Sequence, residues 1–241
     1  NPNNKDVIDV YEFLSQILPK EGVREYVITT LASFLSGKTG DEKFHIWTGS
    51  GGNGKSKLIE LFRLGFGEYC CTLPINIITE KRPRAEANNP ALARTKGKRF
   101  ACLQEPESNE QINVGLMKEL TGGDTIQASA KYKDPIEFKP QFKMVLTCNE
   151  LPAVNSNDRG TWRRLRLVEF ISQFMDDPDP SNPYQFEIDE NLDEKLNAWK
   201  SAFMFLLLDR HKTYRNKGIR EPDDVGLYTA SYGGQFHLNM V

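Results

Sequence analysis

Long apolar runs are missing from these 241 residues. The longest candidate, Ala202–Leu208, falls far short of the roughly 18–20 residues a membrane span needs, and it lies in a helical context. A basic, then apolar, then small-residue leader is also missing, so no secretory signal is expected. The first residue is Asn1 rather than Met, which points to a piece excised from a longer polypeptide. Cysteine is scarce: Cys70, Cys71, Cys102 and Cys148 lie in strand-like apolar segments without metal-ligand spacing, and read as free thiols of a reducing compartment. The three histidines, His45, His211 and His237, are scattered. An excess of positive charge is absent as well. With 31 Lys and Arg against 33 Asp and Glu, the net charge of −2 excludes a generally basic, nucleic-acid-coating surface, though not a basic loop inside a channel. Repeats and low-complexity tracts do not occur. What remains is ordinary in composition, and its length suits one large α/β domain with small additions at its ends.

Against that plain background one stretch stands out. Residues 49–56 read Gly49-Ser50-Gly51-Gly52-Asn53-Gly54-Lys55-Ser56, led by the apolar run Phe44–Thr48 and followed by the helix-forming segment Lys57–Arg63. Strand, glycine loop and helix in that order form a phosphate-binding loop. Glycine lets the backbone wrap a phosphate with its N–H groups inward, and the helix behind adds a partial positive charge. Lys55 is expected to reach the β/γ-phosphates of a nucleoside triphosphate, with the Ser56 hydroxyl on Mg²⁺.

The rest of the chain alternates. Residues 6–37 carry two amphipathic helices separated at Pro19. Tyr69–Leu73 and Arg99–Leu103 read as strands, and Ala87–Lys96 as a helix. A further helix is expected over Asn109–Leu120, ending at Gly122-Gly123. Asp124–Phe138 has strand character on both sides of Lys131-Tyr132-Lys133, and Lys143–Thr147 and Leu165–Phe170 are apolar strands. Asp176–Pro183 reads as a turn or linker, Leu192–His211 as a long helix, and the tail from Lys212 as basic and then irregular. Such alternation predicts a mainly parallel sheet with ligands at the carboxyl ends of its strands.

Three clusters at strand ends add chemistry. Glu105, in Leu103-Gln104-Glu105-Pro106-Glu107, sits where a strand beside the phosphate-loop strand would hold the Mg²⁺ shell and orient water, with Glu107 able to assist; a surface acidic loop is the alternative. Asn149 closes the run Met144–Cys148 and could position the lytic water or touch the γ-phosphate, although Asn before Leu151-Pro152 is equally a turn former. Arg159, Arg163, Arg164 and Arg166 fall within eight residues. An arginine at a subunit edge can stabilise charge on a neighbour's γ-phosphate, pair with surface carboxylates, or bind a nucleic-acid backbone.

Taken together, GSGGNGKS at 49–56, ACLQEPE at 101–107, LMKELTGGD at 116–124, AKYKDPIEFKPQFKMVLTCNELP at 130–152 and DRGTWRRLRLVEF at 158–170 give a pattern with a known counterpart. Over roughly residues 44–171 the chain resembles the superfamily 3 helicases, in particular the helicase half of the primase–helicases of poxviruses, other large DNA viruses, and related phages and plasmids. The resemblance implies an α/β P-loop NTPase of AAA+-like type. It implies a helical segment over 1–40 that could serve as an oligomerisation collar, an ATPase core over 41–172, and a helical segment with a tail over 173–241. Lys55 and Ser56 match the Walker A lysine and Mg²⁺-binding hydroxyl, Glu105 the Walker B acid, and Asn149 the polar sensor. Arg163 or Arg164 falls at the arginine finger, the spacing to Phe170 favouring Arg163. Lys131, Tyr132 and Lys133 fall in the loop that grips single-stranded DNA in a ring's pore, two cations for phosphates and a ring for stacking. Many members carry two adjacent Walker B acids, whereas here Gln104 precedes Glu105.

The expectation is thus an ATP- and Mg²⁺-dependent DNA helicase of viral or phage genome replication. It would act as a hexameric homo-oligomer, covalently linked to an upstream primase domain, without membrane attachment. Its place would be the host cytoplasm at viral replication sites, or the bacterial cytoplasm if of phage origin. A ring ATPase that remodels protein and a small-molecule kinase are the competing classes.

Overall fold

The computed structural model describes residues 4–79, 89–104, 110–156 and 158–238, with the side chains of 235–238 left aside. Glu105 and Glu107, and residues 87 and 88 of the helix expected over Ala87–Lys96, therefore lie outside the described residues.

Two helices open the chain, α1 (Lys5–Ile17) and α2 (Glu21–Ser33). Asn4 caps the first by accepting the Asp6 N–H, and Pro19 lies in the break between them. Strand β1 (Phe44–Thr48) is buried along its whole length and feeds the glycine loop and α3 (Lys55–Phe66). Then come β2 (Cys70–Leu73), the single turn α4 (Asn76–Thr79), the single turn α5 (Pro90–Ala93), β3 (Phe100–Gln104) and α6 (Val114–Thr121). Strands β4 (Ile126–Ala128) and β5 (Ile136–Phe138) form an antiparallel hairpin ahead of β6 (Lys143–Thr147). The turn α7 (Arg159–Trp162) leads into β7 (Leu165–Glu169), β8 (Gln173–Met175) and β9 (Gln185–Glu187). Two helices close the described chain, α8 (Leu192–Lys217) and α9 (Asp223–Leu238).

Five strands make one wholly parallel sheet in the order β2-β3-β6-β1-β7. A parallel sheet must be covered on both faces, and this one has two buried clusters. On one face α1, α2, α3 and α8 pack together, with Phe34, Phe62, Phe100 and Phe203 at the centre. On the other, Phe44, Ile46, Leu146 and Leu167 pack with Met117, Ile112, Phe142 and Tyr232. The N-terminal helices therefore share their core with α3, the helix that follows the glycine loop.

Four expectations change. The helix over Ala87–Lys96 is only the turn α5 within the described residues, because Asn89 caps it and Pro90 takes its first position, where a proline lacking an N–H starts a helix rather than continuing one. α6 begins at Val114, where the Asn113 side chain accepts the Leu116 N–H. The tail is not irregular: α9 lies along β7, with Thr229 Oγ1 accepting the Leu167 N–H at 3.0 Å and Gly233 against the Trp162 ring. Lastly, β3 does not lie beside β1, because β6 is inserted between them. The end of β3 at Gln104 is thus offset by one strand from β1, with Thr147, Cys148 and Asn149 at the end of β6 between them. The Asp/Pro-rich stretch 176–183 does form the connection it suggested, within a parallel β8–β9 pair that short runs in a polar context concealed.

Candidate nucleotide site and surrounding surfaces

The glycine loop is built by close approach. Gly49 has φ 141°, and a Cβ there would lie 2.4 Å from the Phe170 carbonyl oxygen. Gly54, at φ 83°, packs against Ile17 of α1, whose Cγ1 would be 2.7 Å from an added Cβ. Both positions need glycine for conformation and for space. Asn53 is buried, its amide donating to the Phe170 carbonyl at 3.4 Å while its Oδ1 accepts the Lys55 N–H at 3.3 Å. From the other side the Phe174 N–H donates to the Gly52 carbonyl at 2.7 Å. The segment 170–174 thus braces the loop at both ends.

Lys55 opens α3 with its side chain almost wholly buried. Its Nζ donates to the Gly49 carbonyl at 2.7 Å and to Asn149 Oδ1 at 3.4 Å. Asn149 reaches this point because β6 pairs directly with β1: the Cys148 N–H donates to the Trp47 carbonyl and Thr48 Oγ1 to the Asn149 carbonyl. Ser50, Gly51 and Ser56 are exposed. A cleft of about 520 Å³ is lined by Gly51–Lys57, Gln104, Thr147, Cys148 and Asn149, within the size range of ligand pockets. Its donor set near Ser56 is made of hydroxyl and amide oxygens, Ser56, Thr147 and Gln104, which fit a hard divalent cation. The fold thus brings Lys55, Ser56 and Asn149 together; Glu105 follows Gln104 in sequence and lies outside the described residues.

The arginine cluster sits elsewhere. β1 and β7 run parallel with Phe44 opposite Leu165, so Arg163 and Arg164 lie at the end of the sheet where β1 starts. At roughly 3.3 Å per residue, β1 places them about 16 Å from the glycine loop, beyond the reach of a guanidinium. Both arginines engage Glu42 Oε2, Arg163 at 2.5 Å and Arg164 at 3.0 Å. Arg164 is mostly buried and also donates to the Gly160 carbonyl, whereas the Arg163 side chain is 55% exposed. Arg166 is tied to Glu221. Two of the four arginines are therefore structural ties.

Lys131 and Tyr132 crown the β4–β5 hairpin. Lys133 N–H closes the turn onto the Ala130 carbonyl, and Tyr132 takes φ 60° with 90% of its surface exposed. Lys131 Nζ lies 5.1 Å from the Tyr132 ring centroid. Lys133 is exposed beside them.

Several polar residues were not singled out by the sequence. Asp158 caps α7 and pairs with Lys118, joining two of the quoted motif stretches; the ammonium, then the Gly160 and Thr161 contacts, hold its carboxyl well below the usual carboxylate range. Lys143, in a strand read as simply apolar, is buried, donates to Asp41 at 2.6 Å and Ser33 Oγ at 3.0 Å, and is shifted downward by burial. His45, on β1, is fully buried with neither ring nitrogen hydrogen-bonded among the described residues; burial pushes its pKa down to about 3. None of the four cysteines is in a disulfide; Cys102 and Cys148 are buried and Cys70 and Cys71 half-buried.

Fold and cleft together define an α/β protein whose central sheet is parallel and whose glycine loop opens at the carboxyl ends of the strands. Known proteins sharpen that class. Residues 47–164 match the model of a family described as "Family of unknown function (DUF5906)". The chain is 44% identical over 228 residues to a protein of Acanthamoeba polyphaga mimivirus named "Putative helicase L207/L206", covering 91% of this chain and 24% of that protein. It is 34% identical over 250 residues to "Putative helicase 022R" of Frog virus 3 (isolate Goorha), covering 99% and 26%. It is 29% identical over 186 residues to "Putative primase C962R" of African swine fever virus (strain Badajoz 1971 Vero-adapted), covering 77% and 19%. The chain thus spans about a quarter or less of the curated relatives it matches. Among solved structures, the A form apo structure of NrS-1 C terminal region-CTR has a TM-score of 0.64 at 18% identity, covering 92% of this chain and 50% of that one. The likeness shows a shared α/β fold.

Proposed function

We propose that this chain is the ATP-hydrolysing motor of a DNA helicase that replicates the genome of a large DNA virus, of superfamily 3 type with an AAA+-like P-loop core. One observation carries the reading: Lys55 Nζ stands between the Gly49 carbonyl and Asn149 Oδ1 at the mouth of a cleft fed by a glycine loop. A triphosphate laid along Gly49–Ser56 meets the loop N–H groups and the first turn of α3. Lys55 then exchanges its carbonyl partner for phosphate oxygens, and Asn149 faces the γ-phosphate or its attacking water. Ser56, with Glu105, would hold Mg²⁺, which when bound offsets the charge that develops on the transferring phosphate. The relatives named as helicases and as a primase support a replication role, and their greater length supports further domains, a primase among them.

Arg163 lies too far from its own loop to serve it, which supports action on the loop of a neighbouring subunit in a ring, a hexamer. Lys131, Tyr132 and Lys133 would line the pore against one DNA strand, so that few contacts per subunit suffice despite the net charge of −2. The test uses two variants. Lys55→Ala is expected to lose ATP binding and turnover. Lys131→Ala is expected to keep basal hydrolysis, lose unwinding roughly tenfold or more, and lower the salt slope of single-strand binding by about 0.7. Unchanged unwinding and slope in Lys131→Ala would remove DNA from the reading and leave a protein-remodelling ATPase.

A further inference from the structure

Among the described residues only two that are not glycine take a left-handed backbone: Tyr132 at the hairpin tip, and Glu42, at φ 52°. An ordinary side chain adopts that conformation only where its surroundings impose it, and such residues gather at functional sites. Glu42 lies in the turn that enters β1, at the end of the sheet away from the glycine loop. Nothing in its sequence context singles it out.

The turn is fixed on both sides of Glu42. Its N–H donates to the Thr39 carbonyl at 2.9 Å, and the preceding Asp41 holds buried Lys143. After it, Lys43 Nζ donates to the Arg163 carbonyl at 2.7 Å, and the Phe44 N–H donates to the Arg164 carbonyl at 2.8 Å. The backbone of both arginines is therefore locked to this turn, and both side chains come to Glu42 Oε2. That oxygen is buried and makes no hydrogen bond of good geometry among the described residues, so its hold is one of charge. Arg164 meets it while donating to the Gly160 carbonyl, fully engaged within its own chain. Arg163 meets it through Nη2, whereas its Nε and Nη1 have no partner among the described residues and more than half of the side chain is exposed.

Without Glu42, the Arg164 guanidinium would repel Arg163, and the long side chain would scatter over many rotamers. With it, one corner of the planar fork is fixed and the rest stays available to a second acceptor. We propose that Glu42 is a positioning residue. It holds Arg163 oriented for the terminal phosphate of a nucleotide bound by a neighbouring copy of this chain, and Arg164 is the counter-charge that keeps the carboxylate in place. A guanidinium that must find an acceptor on another subunit gains most from orientation set beforehand, because misplacement by about 1 Å can cost roughly a hundredfold in rate. The proposal rests on the reading of Arg163 as the residue that acts in trans. It adds a carboxylate from the same chain as Arg163 and gives the left-handed backbone at Glu42 a purpose.

The experiment measures kcat and KM for ATP with the whole chain, assembled, in Glu42→Gln, Glu42→Asp, Arg163→Ala, and Glu42→Gln combined with Arg163→Ala. Thermal melts verify folding. Glu42→Gln removes the charge, and Glu42→Asp draws the carboxylate back by one methylene. Asp tolerates a left-handed backbone better than Glu, so the second variant keeps the turn even if the first loosens it. Each is expected to lower kcat roughly tenfold to a hundredfold, with KM for ATP within about twofold of the wild type. The double variant should be no slower than Arg163→Ala, since a carboxylate that acts through Arg163 then has nothing left to place. A merely structural role gives losses that multiply instead. Full turnover in either folded Glu42 variant, or multiplying losses in the double variant, overturns the proposal, while a slow Arg163→Ala still supports the trans reading. Normal turnover in Arg163→Ala removes that reading, and the role of Glu42 with it.

Discussion

His45 is a histidine that cannot take up a proton without leaving the core. Its neutral form is already two hydrogen bonds short, and the nearby charges of Lys143, Arg166 and Lys43 add to the burial that lowers its pKa to about 3. In the unfolded chain the same ring titrates near 6.5. Between those values the unfolded state binds more protons, so stability falls as pH drops through that window, by up to about 1.4 kcal/mol per pH unit. We expect urea denaturation to give a steeper acid loss between pH 6.5 and 4 in the wild type than in His45→Leu. The variant should be equal or more stable at pH 7, since replacing unpaired polar atoms with carbon of similar size removes a desolvation penalty; a wild-type slope retained in the variant would refute this. The arginines separate in the same way. Arg164→Ala should lower stability, because its guanidinium is mostly buried between Glu42 and Gly160, while Arg163→Ala should change melting little. ATP turnover should fall in Arg163→Ala with nucleotide binding kept, and normal turnover there would remove Arg163 as the trans residue.

At the scale of elements, Lys143 ties three pieces together: the end of α2 through Ser33, the turn before β1 through Asp41, and β6 itself. Removing one partner of a buried pair leaves an uncompensated charge, at a cost of about 3–5 kcal/mol. Asp41→Ala should therefore destabilise strongly in chemical denaturation, and a loss near zero would mean the pair is not closed in solution. This clamp was invisible in the sequence, because a lysine at a strand's start reads as an edge residue until the helices covering it are known. The five strands of the main sheet were legible, as were Pro19 as a helix break and the hairpin around Lys131–Lys133, since each is written in local periodicity and turn chemistry. α9 was not: Gly226, Gly233 and Gly234 dilute its pattern, and it is stabilised by contacts with β7 and Trp162 that no local rule contains.

Across the whole molecule, what the sequence could not give was adjacency. Every loop residue from Gly49 to Ser56 was readable, and Asn149 was expected at a strand next to the loop, where it lies. The insertion of β6 between β1 and β3 and the separation of Arg163 from Lys55 by the depth of the sheet are properties of strand order, which follows from no single stretch. Under the proposed function, with Arg163 acting on a neighbour's loop, that separation would make activity depend on association. Specific ATPase activity is expected to rise with protein concentration in step with particle mass measured by light scattering, and a concentration-independent rate from a monomer would rule out the shared site.

The bracing of the glycine loop by Phe170 and Phe174 carries one more consequence, for the chain as it is being made. Gly49–Ser56 leaves the ribosome more than a hundred residues before its supports, and at roughly 5–20 residues per second that is a wait on the order of ten seconds. Until then Gly49 and Asn53 lack the carbonyl they pack on, and β1 lacks its neighbour β7. The segment easiest to recognise in the sequence is thus among the last to acquire its working shape, and nascent chains ending before residue 170 should emerge unable to retain nucleotide.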